Sequence, residues 1–167
     1  MENLKMNKYS NLQLEQWMQV AVELSKTNAL GIAGGPFGAV VVKDSEIIAQ
    51  GANSVLANND PTAHAEVMAI RKACETLGTF QLEGCIVVTS CEPCPMCLGA
   101  IYWARPDAVY FANSRQDAAY IGFDDEFIYN EINTPLEERK IPMIHLPHPQ
   151  AMQAFQTWQT KMDKTPY

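Results

Sequence analysis

The chain has 167 residues, 47% of them hydrophobic, which is enough for one domain with a proper core. Its net charge is −7 with an isoelectric point near 4.9, and its 12 basic residues are scattered. That balance argues against nucleic acid as a partner and favours a small neutral molecule, because Lys and Arg at phosphates supply most nucleic-acid affinity.

Taken in chain order, residues 12–30 are predicted to form an amphipathic helix, with Leu14, Trp17, Ala21 and Leu24 at helical spacing. Ser10 and Gln13 resemble a capping box, and Gly31 can end the helix. Residues 38–42 and 47–53 are predicted as strands joined by a hairpin turn at 43–46. Turn chemistry at Asn58, Asn59, Asp60 and Pro61 leads into a helix over 63–77. A strand over 85–90, a helix over 94–104 and a strand over 108–112 follow. Residues 113–127 are polar and predict a short helix and a loop. A weak strand interrupted by Pro142 is predicted at 141–146, and a last helix at 149–161 shows Met152, Phe155 and Trp158 on one face. The alternation predicts an α/β layered fold with a mixed sheet, spanning 1–167 as a single domain. No segment reaches the roughly 20 apolar residues of a membrane span. The N-terminus is polar and unlike a signal peptide, and five cysteines without a disulfide framework fit the cytoplasm.

Two motifs carry the chemistry. The first is His64-Ala65-Glu66 and the second is Pro93-Cys94-Pro95-Met96-Cys97. One imidazole and two thiolates suit zinc, and three protein ligands leave a fourth position for water. Either half alone is weak. Together, each at the start of a predicted helix, they match the known signature of zinc nucleobase deaminases. A helix start favours thiolate over thiol at Cys94 and Cys97, and residues three apart share a face. His64 and Glu66 would diverge by about 200° in a regular helix. His64 is therefore expected at or before the first turn, with Glu66 reaching back. Cys91, three residues before Cys94, is a rival fourth ligand that would close the site into a structural one. Glu66 argues against that reading, since a structural site has no use for it.

The stretches Gly34-Gly35-Pro36-Phe37-Gly38-Ala39-Val40, Asn59-Asp60-Pro61-Thr62-Ala63-His64-Ala65-Glu66 and 91–106 resemble the cytidine and deoxycytidylate deaminase superfamily. Gly122-Phe123-Asp124-Asp125 and the terminal tyrosine make the chain similar, within it, to the bacterial guanine deaminases. The resemblance implies a three-layer α/β/α fold with a five-stranded sheet and one Zn2+ per chain. It also implies a homodimer whose C-terminal helix swaps onto the partner. The implied reaction replaces the 2-amino group of guanine with oxygen, giving xanthine and ammonia. Zinc at His64, Cys94 and Cys97 would acidify water, Glu66 would move protons, and Asp125 would be a second proton carrier. The Asn53 amide can donate and accept along a purine edge. Phe37 and Trp103 are candidates to cover the ring faces, and Tyr167 to close the pocket. Adenosine in tRNA and cytosine remain alternative substrates within the superfamily. A zinc-stabilised binding module without catalysis is the alternative outside it.

Overall fold

The computed structural model describes residues 8–166. They fall into two compact units, divided between Asp125 and Glu126.

The first unit is built on a four-stranded sheet. Helix α1 (Asn11–Ala29) opens with the expected capping box: the Ser10 hydroxyl accepts from the Gln13 N–H, and the Gln13 side chain accepts from the Ser10 N–H. Strands β1 (Gly38–Lys43) and β2 (Glu46–Ala52) form an antiparallel hairpin. Its two-residue turn, Asp44 and Ser45, takes φ of 48° and 68° at both positions, the left-handed twist that tight hairpins favour. A single helical turn α2 (Val55–Asn58) follows, too short to leave a periodic trace in the sequence. Helix α3 (Ala65–Leu77), strand β3 (Cys85–Cys91), helix α4 (Pro95–Ala104), strand β4 (Ala108–Asn113) and helix α5 (Arg115–Tyr120) complete the unit.

The sheet order is β2-β1-β3-β4, with β1 antiparallel to both neighbours and β3 parallel to β4. The mixed sheet agrees with the expectation, but among the described residues it has four strands and not five. The segment 141–146, the candidate fifth, is irregular. Pro142 has no N–H to give to a ladder, so a local apolar pattern there cannot by itself make a strand.

Strands β1 and β3 read as nearly continuous apolar runs because helices cover both of their faces. Ala39, Val41, Cys85 and Val87 point toward α3 and α4, where they pack with Ala65, Ala69, Ile70 and Ile101. Val40, Val42, Ile86 and Val88 point the other way, onto Trp17 and Tyr9 beneath α1. The approach to α3 is close. A Cβ on Gly51 of β2 would run into the Ala65 carbonyl and lie 2.6 Å from the Ala69 nitrogen, so only glycine lets the first turn of α3 sit on the sheet.

The second unit contains helix α6 (Glu126–Asn133), a 3-10 turn (Leu136–Glu138) and helix α7 (Ala151–Thr160). The Arg139 guanidinium donates to the Ile132 and Thr134 carbonyls at 3.1 and 3.0 Å, satisfying groups at and just beyond the end of α6. Met152, Phe155 and Trp158 of α7 are all exposed. Among the described residues no helix is long and apolar enough to cross a membrane.

Candidate metal centre and active site

The two motifs meet at the N-terminal ends of α3 and α4. An Asx turn prepares the first: the Asp60 carboxylate accepts from the Thr62 N–H at 2.8 Å and from its hydroxyl at 2.7 Å. His64 then sits at the N-cap of α3 in an extended conformation, φ −71° and ψ 155°, and Glu66 lies in the first turn. This resolves the angular divergence expected of a regular helix, because the His64 side chain leaves the backbone before the helical wheel applies. Cys94 occupies the corresponding N-cap of α4, with Pro95 at the first helical position, where its missing N–H costs nothing. Cys97 follows one turn later and is fully buried.

The His64 Nδ1 lies 3.6 Å from the Cys94 sulfur and 3.5 Å from the Cys97 sulfur. A tetrahedral zinc with ordinary Zn–N and Zn–S bonds places such atoms about 3.5 Å apart, so the donor set fits the ion in both chemistry and spacing. Among the described residues these three form the only His, Cys, Asp and Glu group that could hold a metal. Hydrogen bonds from Cys97 and His64 lower the Cys94 thiol against the effect of burial, and the hydrogen bond to Cys94 together with burial raises that of Cys97. A bound cation would favour both as thiolates. Cys91 is turned elsewhere: it is buried, its thiol faces the Ser114 carbonyl at 3.6 Å, and burial raises it to about 11.

Glu66 is 5% exposed. One carboxylate oxygen accepts from the Thr89 hydroxyl at 3.1 Å, and the other lies 3.4 Å from the Cys97 sulfur. Burial raises its pKa, and the Thr89 and Cys97 hydrogen bonds oppose that rise. A carboxyl in this position can both take and return a proton. The Asp125 carboxyl is raised, first by burial and then by the Cys94 charge, against the pull of Arg115.

Asn53 is 4% exposed and its orientation is fixed. Its side-chain oxygen accepts from the Gly35 and Val55 N–H groups, both at 3.2 Å. The oxygen is therefore engaged, and the amide group Nδ2 is the end with donors to offer. Phe37 packs against the buried core of α3 and α4 and meets Phe123 edge to face, with ring centroids 5.0 Å apart. Trp103 is 65% exposed and lies about 200° around α4 from the buried Ile101. Tyr167 lies outside the described residues.

Thr89 and Asn28 make contacts around these residues that the sequence did not single out. Thr89 is completely buried, and its signal was a hydroxyl pair, Thr89-Ser90, ending an apolar strand just ahead of the cysteine motif. The Ser90 hydroxyl accepts from the Gly38 N–H at 3.1 Å. Asn28 gave no signal, since an asparagine near a helix end is ordinary.

One imidazole and two thiolates at paired helix starts, with a buried carboxylate against them, define a zinc-dependent hydrolytic site. The chain belongs to the cytidine and deoxycytidylate deaminase family, whose zinc-binding region it matches over residues 12–113, a span that includes all three metal-group residues. It is 56% identical to the guanine deaminase of Bacillus subtilis over 92% of this chain and 98% of that one. The X-ray structure of that enzyme matches the fold with a TM-score of 0.89 over the same shares of the two chains. A guanine deaminase from Nitrosomonas europaea matches with a TM-score of 0.62 and 31% identity over 75% of this chain and 79% of that one. The tRNA-specific adenosine deaminase of Aquifex aeolicus is 43% identical over 59% of this chain and 64% of its own length.

Proposed function

We propose that the chain hydrolyses guanine to xanthine and ammonia. The observation that carries this is the 56% identity to a guanine deaminase along nearly the whole of both chains, against a match to a tRNA deaminase that covers 59% of this one. The net charge of −7 supports a free base over a polyanion.

When bound by His64, Cys94 and Cys97, zinc supplies a Lewis acid that makes water reactive near neutral pH. Glu66 accepts a proton from the attacking water and delivers it to ring N3, which makes C2 more electrophilic. The departing 2-amino group needs a proton as well, from Glu66 or from Asp125. Asn53 donates from Nδ2 to an acceptor on the purine edge, and Phe37 with Phe123 closes one side of the ring. Backbone N–H groups of the turn at 93–97 favour charge that develops as water adds.

The reading includes a cytoplasmic homodimer acting as a single-domain enzyme. None of the five cysteines is paired in a disulfide, which suits a reducing compartment. Leu98, Tyr102 and Trp103 leave an exposed apolar face on α4, where Trp103 suits a contact between copies. The apolar face of α7 needs cover too, which a swapped C-terminal helix supplies, bringing Tyr167 over a pocket to exclude water.

Ammonia and xanthine release from guanine, with cytosine, cytidine and tRNA adenosine in parallel and with and without chelator, tests the function. Inosine formed in tRNA without xanthine from guanine would replace guanine with the anticodon as substrate. Light scattering tests the dimer. Removing residues 163–167 is expected to keep zinc and lower guanine turnover sharply; full activity would dismiss Tyr167.

A further inference from the structure

We infer that Asn28 is a positioning residue that sets the base preference of the pocket by holding the Asn53 amide in one orientation. The inference rests on the substrate-contacting role of Asn53 proposed above. Asn28 lies in the last turns of α1 and is half-buried. Its Nδ2 donates to the Gly35 carbonyl at 2.6 Å and to the Asn53 carbonyl at 2.9 Å, which engages both amide hydrogens. Gly35 in turn gives its N–H to the Asn53 side-chain oxygen at 3.2 Å. The three segments therefore close a ring of hydrogen bonds: the end of α1 holds the 34–35 loop and Asn53, and the loop holds the Asn53 side chain.

The loop comes this close only because it is glycine. A Cβ on Gly34 would collide with the Asn53 side-chain oxygen and lie 2.7 Å from its carbonyl oxygen. Ser25 anchors the same loop further along, donating to the Pro36 carbonyl at 2.6 Å, but it does not reach Asn53. An asparagine amide is nearly symmetric in shape, and a half-turn exchanges donor for acceptor. Here a half-turn would aim the amide hydrogens at two backbone N–H groups and leave those groups without an acceptor. Asn53 consequently offers donors alone, and the pocket selects bases that present an acceptor there. A 6-oxo purine fits this preference better than one with a 6-amino group at that edge.

The test compares Asn28→Asp and Asn28→Ala with the parent protein. Aspartate keeps the shape of the side chain but removes both donors and faces two carbonyl oxygens. Alanine removes the donors without adding charge. Guanine and 2,6-diaminopurine are the paired substrates, since they share the 2-amino group and differ at C6, oxygen against amino group, and in the proton that guanine alone carries on N1. For both variants the expected result is full zinc content, kcat for guanine within about 3-fold and KM raised about 10-fold, the size of one lost hydrogen bond. The preference for guanine over 2,6-diaminopurine, as the ratio of kcat/KM values, is expected to fall about 10-fold. Asn53→Ala is measured alongside. An unchanged guanine KM in Asn53→Ala would remove the substrate role itself. A raised KM there, with parental preference in both Asn28 variants, would overturn the inference and leave that role standing. Loss of zinc or of kcat without a change in preference would likewise overturn it, because Asn28 would then serve only the fold.

Discussion

Replacing Thr89 with valine removes one hydroxyl from the site and leaves the side-chain volume almost unchanged. The hydroxyl has a single proton and two acceptors, Glu66 at 3.1 Å and the Gly38 carbonyl at 3.4 Å, so the nearer carboxylate receives it. Thr89 is completely buried and Glu66 is 5% exposed, so no water takes its place without rearrangement. A hydrogen bond to a charged group contributes about 1.5–3 kcal/mol, equivalent to roughly 1–2 pKa units. Burial already holds the Glu66 carboxyl above its ordinary range, and the Thr89 bond counters it by favouring the ionised form. Deleting the bond therefore moves the pKa further up. Since the ionised form takes the proton from water in the proposed mechanism, the acid limb of the kcat/KM profile is expected to shift to higher pH by about 1 unit. Above that limb the loss of orientation is expected to lower kcat about 10-fold. Xanthine formation from pH 5 upward, with zinc content measured on the same samples, reads both effects, and Thr89→Ser is expected to restore them. A valine variant with full zinc, parental kcat and an unmoved acid limb would refute the reasoning.

Glu66→Gln keeps the shape and the Thr89 contact but cannot carry a proton; it is expected to retain zinc and lose at least about 10²-fold in turnover, measured on metal-replete protein. Cys91→Ser is expected to keep about one zinc per chain by metal analysis, because the Cys91 thiol faces Ser114 and not the metal group. Chelation is expected to abolish turnover and lower Tm, with zinc restoring both, as binding to the folded state alone requires. Gly51→Ala forces the first turn of α3 away from β2; urea denaturation should show a loss of about 1–3 kcal/mol, accompanied by weaker zinc retention.

The metal group was legible in the sequence because its geometry is local. Cys94 and Cys97 stand three residues apart across the start of α4, and Pro61 with Asp60 announces the turn that presents His64. Strands β1 and β3 were legible as short apolar runs for the same reason, though not which face each side chain takes. What stayed hidden depends on distant chain. Thr89 meets Glu66 across 23 residues, and Asn28 meets Asn53 across 25. Each looks ordinary in its own window, and only the packing of β3 against α3, or of α1 against the 34–35 loop, gives it a task. The fifth strand failed for the converse reason: Ile144 and Leu146 look strand-like locally, but a strand exists only where an edge accepts it.

The placement of the metal group at the starts of two helices also shapes how the protein breathes. Helices α3 and α4 lie on the same face of the sheet, sharing the core through Ala65 and Ile101. A zinc ion at His64, Cys94 and Cys97 fastens the first turn of one to the first turn of the other. Removing it releases two helix ends while β1 and β3, buried on both faces, stay closed. Hydrogen exchange in the metal-free protein should therefore quicken first at the amides around 64–68 and 94–98, with the central strands still protected. The ion would then govern a local opening equilibrium as well as a reaction, so that the same site is both the working part of the molecule and its least protected seam when empty.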